Sequence, residues 1–458
     1  MIILIKKYFG DWNFYKRVIF IALPLALQQL LSNAMGIVDS IMVSWIGEVT
    51  AVGTASQLEN MCITVCFGAV TGIGIFASQF FGAEEYDNMK KTFGIGIIFA
   101  LLCGLLWWSG ITFFGRQIVS FYIQDEVVIT SALKYLNIAR FSYIPLCLSF
   151  TFSYFYRCMQ KTYIPMYIGI GSMMSNVVLN YVLIFGHFGF PELGVEGAAW
   201  GTLCAQSISL IAYLSYAIYA KEPFIGSFSQ IFGFHFDFVK PILKRTYPLV
   251  INEALYSFGS SLFIKAYGIL GTNAMDSYYV GNQIGTLFIA ACNGISSAAS
   301  AILGSELGKN KIDRAKEYGD YFLGLAGILA VIVTTVIFAS SGFLVSLFGL
   351  ADPVVHDLAI WVVRVTAVRI SMRLFNVVIF ASMRAGGDTK YMVFLDSGIM
   401  WLVGIPLSYF LVLVCGLKNI AVVFLLVQIE QFVRIIIGLY RHKSGIWAQN
   451  LTKEVKTA

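Results

Sequence analysis

At 458 residues, 58% hydrophobic and only 12% charged, with a mean hydropathy of +0.78, this chain lies far from soluble domains, which carry about 25% charged residues. The composition specifies a polytopic membrane protein. The net charge of +6 would suit a nucleic-acid partner, but its distribution along the chain, set out below, excludes that class.

Residues 1–20 mix Lys6, Lys7, Lys16 and Arg17 with apolar residues and read as a cytoplasmic lead-in rather than a cleavable signal peptide. Next comes Pro24–Gly47, PLALQQLLSNAMGIVDSIMVSWIG, long enough to cross a bilayer as a helix. It carries one full charge, Asp39, whose ionised form costs about 2.5–3.5 kcal/mol at bilayer depth and needs a partner, a proton or a bound cation. Pro24 has no backbone N–H to give, so a bend is expected near it. Hydrophobic runs and their punctuation predict twelve spans: 17–44, 51–80, 89–114, 128–157, 163–185, 194–220, 241–270, 274–305, 315–342, 354–383, 391–414 and 417–440.

Of the 31 Lys and Arg, 22 fall at the two termini and in every second loop, and seven lie within spans. The remaining loops hold only Arg116 and Lys418. The positive-inside rule therefore puts both termini in the cytoplasm, and the net charge becomes a topology signal.

The chain repeats itself. At an offset of 224, Pro24 meets Pro248 and Gly47 meets Gly271; at 226, Gly82, Asp87 and Lys90 meet Gly308, Asp313 and Lys316; at 227, Arg157 and Thr162 meet Arg384 and Thr389. This predicts two related six-helix halves entering the membrane in the same sense, a parallel repeat of the kind secondary transporters use. The expected division is a first lobe at 1–220, a cytoplasmic connector at 221–240, and a second lobe with a short cytoplasmic tail at 241–458.

The halves differ where it matters. Asp39 corresponds to Phe263, Asn176 and Asn180 to Val403 and Leu407, and Thr202 to Phe424. One carboxylate, two amides and a hydroxyl are hard oxygen ligands of the kind Na⁺ accepts. The same carboxylate is also a candidate proton carrier, and an interhelical hydrogen-bond cluster is the structural alternative. The eight cysteines fall in or beside apolar spans; Cys62 and Cys66 are one helical turn apart, but no His joins them, and they read as small buried residues.

VDSIMVSWIGEVTAVGTAS, ASQFFGAEEYDNMKK and NYVLIFGHFGFPELGVEGAAWGT in the first half, with PLVINEALYSFG, GSELGKNKIDRAKEY and RAGGDTK in the second, resemble the multidrug and toxic compound extrusion (MATE) family of the multidrug/oligosaccharidyl-lipid/polysaccharide flippase superfamily. The resemblance covers nearly the whole chain. It implies an all-α membrane protein, with twelve transmembrane helices in two pseudo-symmetric six-helix lobes around a central cleft, that exchanges organic cations for Na⁺ or H⁺. By the same resemblance Asp39 matches the first-helix acid and Pro24 the first-helix proline. Asn176, Asn180, Ala198 (by its carbonyl) and Thr202 match the remaining cation ligands. In some relatives the position of Asn180 is an aspartate, so this site has one carboxylate fewer. In NorM-type members an acid stands eleven residues before the arginine matched by Arg384; here that position is Arg373.

Other charges also lie within spans. Glu253 invites pairing with Arg369 or Arg373, and Asp396 with Lys265, as buried ion pairs or as groups that handle substrate or protons. Glu59, Tyr278, Tyr279 and Asn282 are candidates to face a cationic substrate, aromatic faces being suited to flat cations. GIGIF, GIGII and GIGSM are packing glycines within spans, no nucleophile–base pair stands out, and the four His are scattered, so no enzyme is expected.

The sequence is therefore read as a secondary multidrug antiporter of a bacterial-type plasma membrane. It would need no cofactor beyond Na⁺, with Asp39 as its ligand, or H⁺. Its partners would be amphipathic cationic small molecules and the bilayer, with no nucleic acid and a working monomer. The alternatives are a flippase for lipid-linked oligosaccharides, which requires a strongly cationic cavity, and a non-transporting receptor or channel.

Overall fold

The computed structural model describes residues 7–123, 125–350 and 352–456; Lys6, counted above with the cytoplasmic cations, and the Lys456 side chain lie outside the described set. Twelve long helical segments follow one another. In the first half they are α1 (Trp12–Trp45), α2 (Val49–Gly82), α3 (Tyr86–Tyr122), α4 (Glu126–Ala139 and Tyr143–Cys158, joined by the 3₁₀ turn Arg140–Ser142), α5 (Tyr163–Phe185) and α6 (Val195–Tyr219). In the second they are α7 (Phe236–Gly268), α8 (Thr272–Gly308), α9 (Ile312–Ser346), α10 (Pro353–Ala385), α11 (Thr389–Val414) and α12 (Ile420–Ser444). All twelve predicted spans are present. The largest boundary difference is at α3, which runs on to Tyr122 because GRQIVSFY continues the helix past the apolar run. Among the described residues, nine of these helices are apolar enough to cross a membrane by length and composition. The other three explain themselves: α4 is interrupted, α7 carries Glu253 and Lys265 besides its basic start, and α10 carries Arg364, Arg369 and Arg373.

The repeat is written into the turns. Glu84 and Asn310, 226 apart, both have φ +60°, and Gly47 and Gly271, 224 apart, both have positive φ. Gln160 (φ +63°) and Gly387 (φ +75°) are 227 apart. Asp125 and Asp352 occupy the same repeat position, and each caps its helix by accepting a backbone N–H, from Val127 at 2.9 Å and Val354 at 2.8 Å. Loop sequences diverged while the turn geometry stayed.

Packing sorts the chain into two compact units, Leu27–Thr246 and the chain up to Ala26 together with Tyr247 onward. These bounds differ from the division at 220 and 241. The connector packs in the first unit: Phe224 is fully buried with its ring 4.8 Å from that of Phe93, and Lys161 pairs with Glu222 at 2.6 Å. The start of α1 packs in the second: Arg17 reaches Glu306 at 3.4 Å, and the Phe14 ring lies 5.1 Å from Tyr318 and 5.0 Å from Phe322. Pro24 sits inside the continuous α1, two residues before this boundary.

α5 is regular throughout, whereas its repeat mate α11 contains three π-helical stretches, Phe394–Gly398, Met400–Gly404 and Phe410–Val414. α12 is interrupted at Gln428, whereas α6 is not. The halves thus differ in backbone as well as in side chains.

Candidate functional site

Within the first unit, α1 brings Asp39, α5 brings Asn176 and Asn180 one turn apart, and α6 brings Ala198 and Thr202. α5 and α6 approach closely because Gly201 has no side chain: a Cβ there would collide with Asn180 Oδ1. Asn180 is only 3% exposed, and its Nδ2 donates to Asp39 Oδ1 at 3.1 Å. Asn176 satisfies its surroundings with its amide nitrogen turned to the same carboxylate, donating to Oδ1 at 3.2 Å and Oδ2 at 3.0 Å. Thr202 Oγ1 donates to the Ala198 carbonyl at 3.1 Å and shares a hydrogen bond with the Tyr135 hydroxyl at 3.4 Å. Asn180 Oδ1 is buried with no hydrogen-bond partner. A buried acceptor without a donor is costly, and this one is turned towards Gly201 of α6, on the side chain whose Nδ2 holds Asp39. The donor set as a whole fits a small hard cation.

These groups line one cavity of about 540 Å³, formed entirely by residues of the first unit. Glu59, expected from sequence only as a cleft residue, lines it too, close enough to Asp39 for their charges to interact. Arg157 also lines it. Tyr135 is a site residue that sequence reasoning missed. Its repeat mate at 227 is Val362, the same polar-to-apolar exchange that marks the others.

The counterpart positions gather as well. Val362, Ile420 and Phe424, the repeat mates of Tyr135, Ala198 and Thr202, belong to one hydrophobic cluster of the second unit, and Phe263 and Leu407, the mates of Asp39 and Asn180, pack against it. The duplicated scaffold holds an oxygen-lined site in one unit and a packed apolar core in the other.

The second-unit charges are arranged differently from expectation. Asp396 does not meet Lys265, which is exposed on α7; it accepts from Arg434 Nη1 at 2.7 Å and from Asn252 Nδ2 at 2.9 Å. Arg434 also pairs with Glu430, one turn before it on α12. An i,i+4 acid and base was the available signal for this pair. Glu253 lies within electrostatic reach of Arg384 and, less strongly, Arg373, and Arg373 Nη1 donates to the Tyr256 hydroxyl at 3.4 Å. Of the aromatic candidates, Tyr278 is buried in the apolar cluster and lines a small cavity of about 90 Å³ with Arg369, Glu430 and Arg434. Tyr279 is exposed and Asn282 half-buried.

Comparison with known proteins gives a consistent picture. The sequence model of the MatE family matches residues 24–182 and again residues 248–410, so the two matches begin at the paired prolines Pro24 and Pro248. The chain is 27% identical over 439 residues to the uncharacterized transporter YisQ of Bacillus subtilis, covering 93% of each. It is 26% identical over 407 residues to the probable multidrug resistance protein NorM of Bacillus cereus, covering 86% of this chain and 88% of that one. In fold it matches the Vibrio cholerae MATE transporter VcmN, with a TM-score of 0.86, 14% identity and coverage of 96% and 98%.

Proposed function

The chain belongs to the MatE family of multi-pass membrane transporters, and we propose that it is an antiporter expelling amphipathic organic cations in exchange for Na⁺ or H⁺, with the coupling ion taken up at Asp39. The observation that carries this reading is the buried Asn180, whose Nδ2 donates to Asp39 while its Oδ1 has no partner, in the cavity that Asp39, Ala198 and Thr202 also line. In the described arrangement two amide N–H groups occupy the Asp39 oxygens. A cation entering there turns the amides so that their oxygens face it, and adds the Thr202 hydroxyl and the Ala198 carbonyl as ligands. A proton instead neutralises the carboxylate and releases the amides. Either event changes how tightly the cavity holds a cationic substrate, because Asp39 and Glu59 line the same space. An ion drives transport only through such a difference in affinity between states, and alternating access follows when uptake of the ion favours release of the drug.

The test is efflux from proteoliposomes under separately imposed sodium and pH gradients. Wild type should respond to one of them, and Asp39→Asn should lose that response while still binding substrate. Unchanged ion-driven efflux in Asp39→Asn would remove Asp39 from the coupling step. The flippase reading is less well supported, because Arg434 in the small second-unit cavity is matched by Asp396 and Glu430. Loss of an envelope polymer, rather than of drug tolerance, in cells lacking the gene would revive it.

A further inference from the structure

The thiols that the sequence scattered converge in the fold. Cys62 on α2, Cys103 on α3 and Cys147 on α4 place their sulfurs all within 4.8 Å of one another, with Cys62 Sγ 3.6 Å from Cys147 Sγ. Backbone packing makes this possible: next to Cys103, a Cβ on Gly104 would lie only 2.9 Å from Cα of Ile144, so α3 and α4 run nearly in contact. Cys62 and Cys147 are essentially inaccessible, whereas Cys103 is half-buried. Cys66, one turn beyond Cys62, lies outside this set, with its thiol 4.0 Å from the Cys147 carbonyl oxygen and within electrostatic reach of the Cys103 and Cys147 thiols. All of these residues belong to the first unit, and none lines the Asp39 cavity.

We propose that Cys62, Cys103 and Cys147 form a three-sulfur binding site for a soft monovalent cation, Cu(I). A metal–sulfur bond of about 2.3 Å puts three trigonal ligands about 4.0 Å apart, so the observed spacing needs only a small closure to hold an ion. Ligand type and number select the metal. Sulfur-only sites take soft ions and refuse Na⁺, Mg²⁺ or Ca²⁺, and the three sulfurs within 4.8 Å are one short of the four ligands that structural zinc takes. About one turn along α2 and α3 from Cys62 and Cys103, an apolar cavity of about 570 Å³ is lined by Met61, Leu106 and Trp107, though by none of the three cysteines; Met61 there presents a soft thioether at 48% exposure. Bound metal would tie α2, α3 and α4 together.

The experiment uses the full chain, reduced and purified anaerobically in detergent, titrated with Cu(I) against a bathocuproine chelator. One equivalent should be retained per chain, with an X-ray absorption first shell of sulfur only. Cys62→Ser and Cys147→Ser should each weaken retention at least tenfold, while Cys292→Ser/Cys415→Ser leaves it unchanged. In a readout on wild type alone, free of any folding defect in the variants, Ag(I) should protect Cys62, Cys103 and Cys147 from maleimide in briefly heated protein. No retained copper, equal retention by the variants, protection of other cysteines, or a Cys62–Cys147 disulfide in protein whose thiols were blocked at lysis would each overturn the assignment.

Discussion

Asp396 and Arg434 show what single residues contribute. Both lie within spans, Arg434 is 3% exposed, and it contacts Asp396 and Glu430. Removing one partner of a buried pair leaves an uncompensated charge and typically costs about 3–5 kcal/mol. Arg434→Leu should therefore lower the unfolding temperature of the purified protein sharply, and the double change Arg434→Leu/Asp396→Leu should recover part of that loss. An equal melting temperature for wild type and Arg434→Leu would mean that the pair is not structural. This pairing was not legible in the sequence, because which of several charges meet depends on helix rotation. The cysteines make the point more strongly: Cys62, Cys103 and Cys147 stand on three helices, and nothing in their spacing signals convergence. The Asp39 set was legible, because the duplicated half supplies an internal control at each position.

Among the elements, α1 carries the most. Proline in a helix interior costs about 3 kcal/mol through its missing N–H and its clash with the preceding turn, yet α1 runs unbroken through Pro24. Pro24→Ala should raise thermal stability and slow efflux, with ion binding at Asp39 retained if the helix must flex during the cycle. Faster melting, or efflux at the wild-type rate, would dismiss that role. Helix positions were readable from apolar runs and their punctuation. The π-helical stretches of α11 were not, since an extra residue per turn leaves no mark in composition.

For the whole molecule, the twelve segments and the duplication were readable because bilayer thickness fixes span length and a copied half preserves its turns. The side of the membrane on which each loop lies is testable with a native group. Cys415 is exposed, in the short stretch between α11 and α12 that the positive-inside rule places outside the cell. A membrane-impermeant maleimide should label intact cells expressing the wild type and spare Cys415→Ser. Labelling only after lysis would invert the topology.

Because α1 is divided between the two units, the order of synthesis has a cost. Phe14 and Arg17 leave the ribosome early, but Glu306, against which Arg17 rests, follows 289 positions later, and Tyr318 and Phe322, which pack on Phe14, later still. At about 5–20 residues per second, the leading turns of the protein wait roughly 15 to 60 s for their neighbours. Throughout that interval lipid or the insertion machinery must shelter them, so a nascent chain stalled before α8 exposes its own first helix.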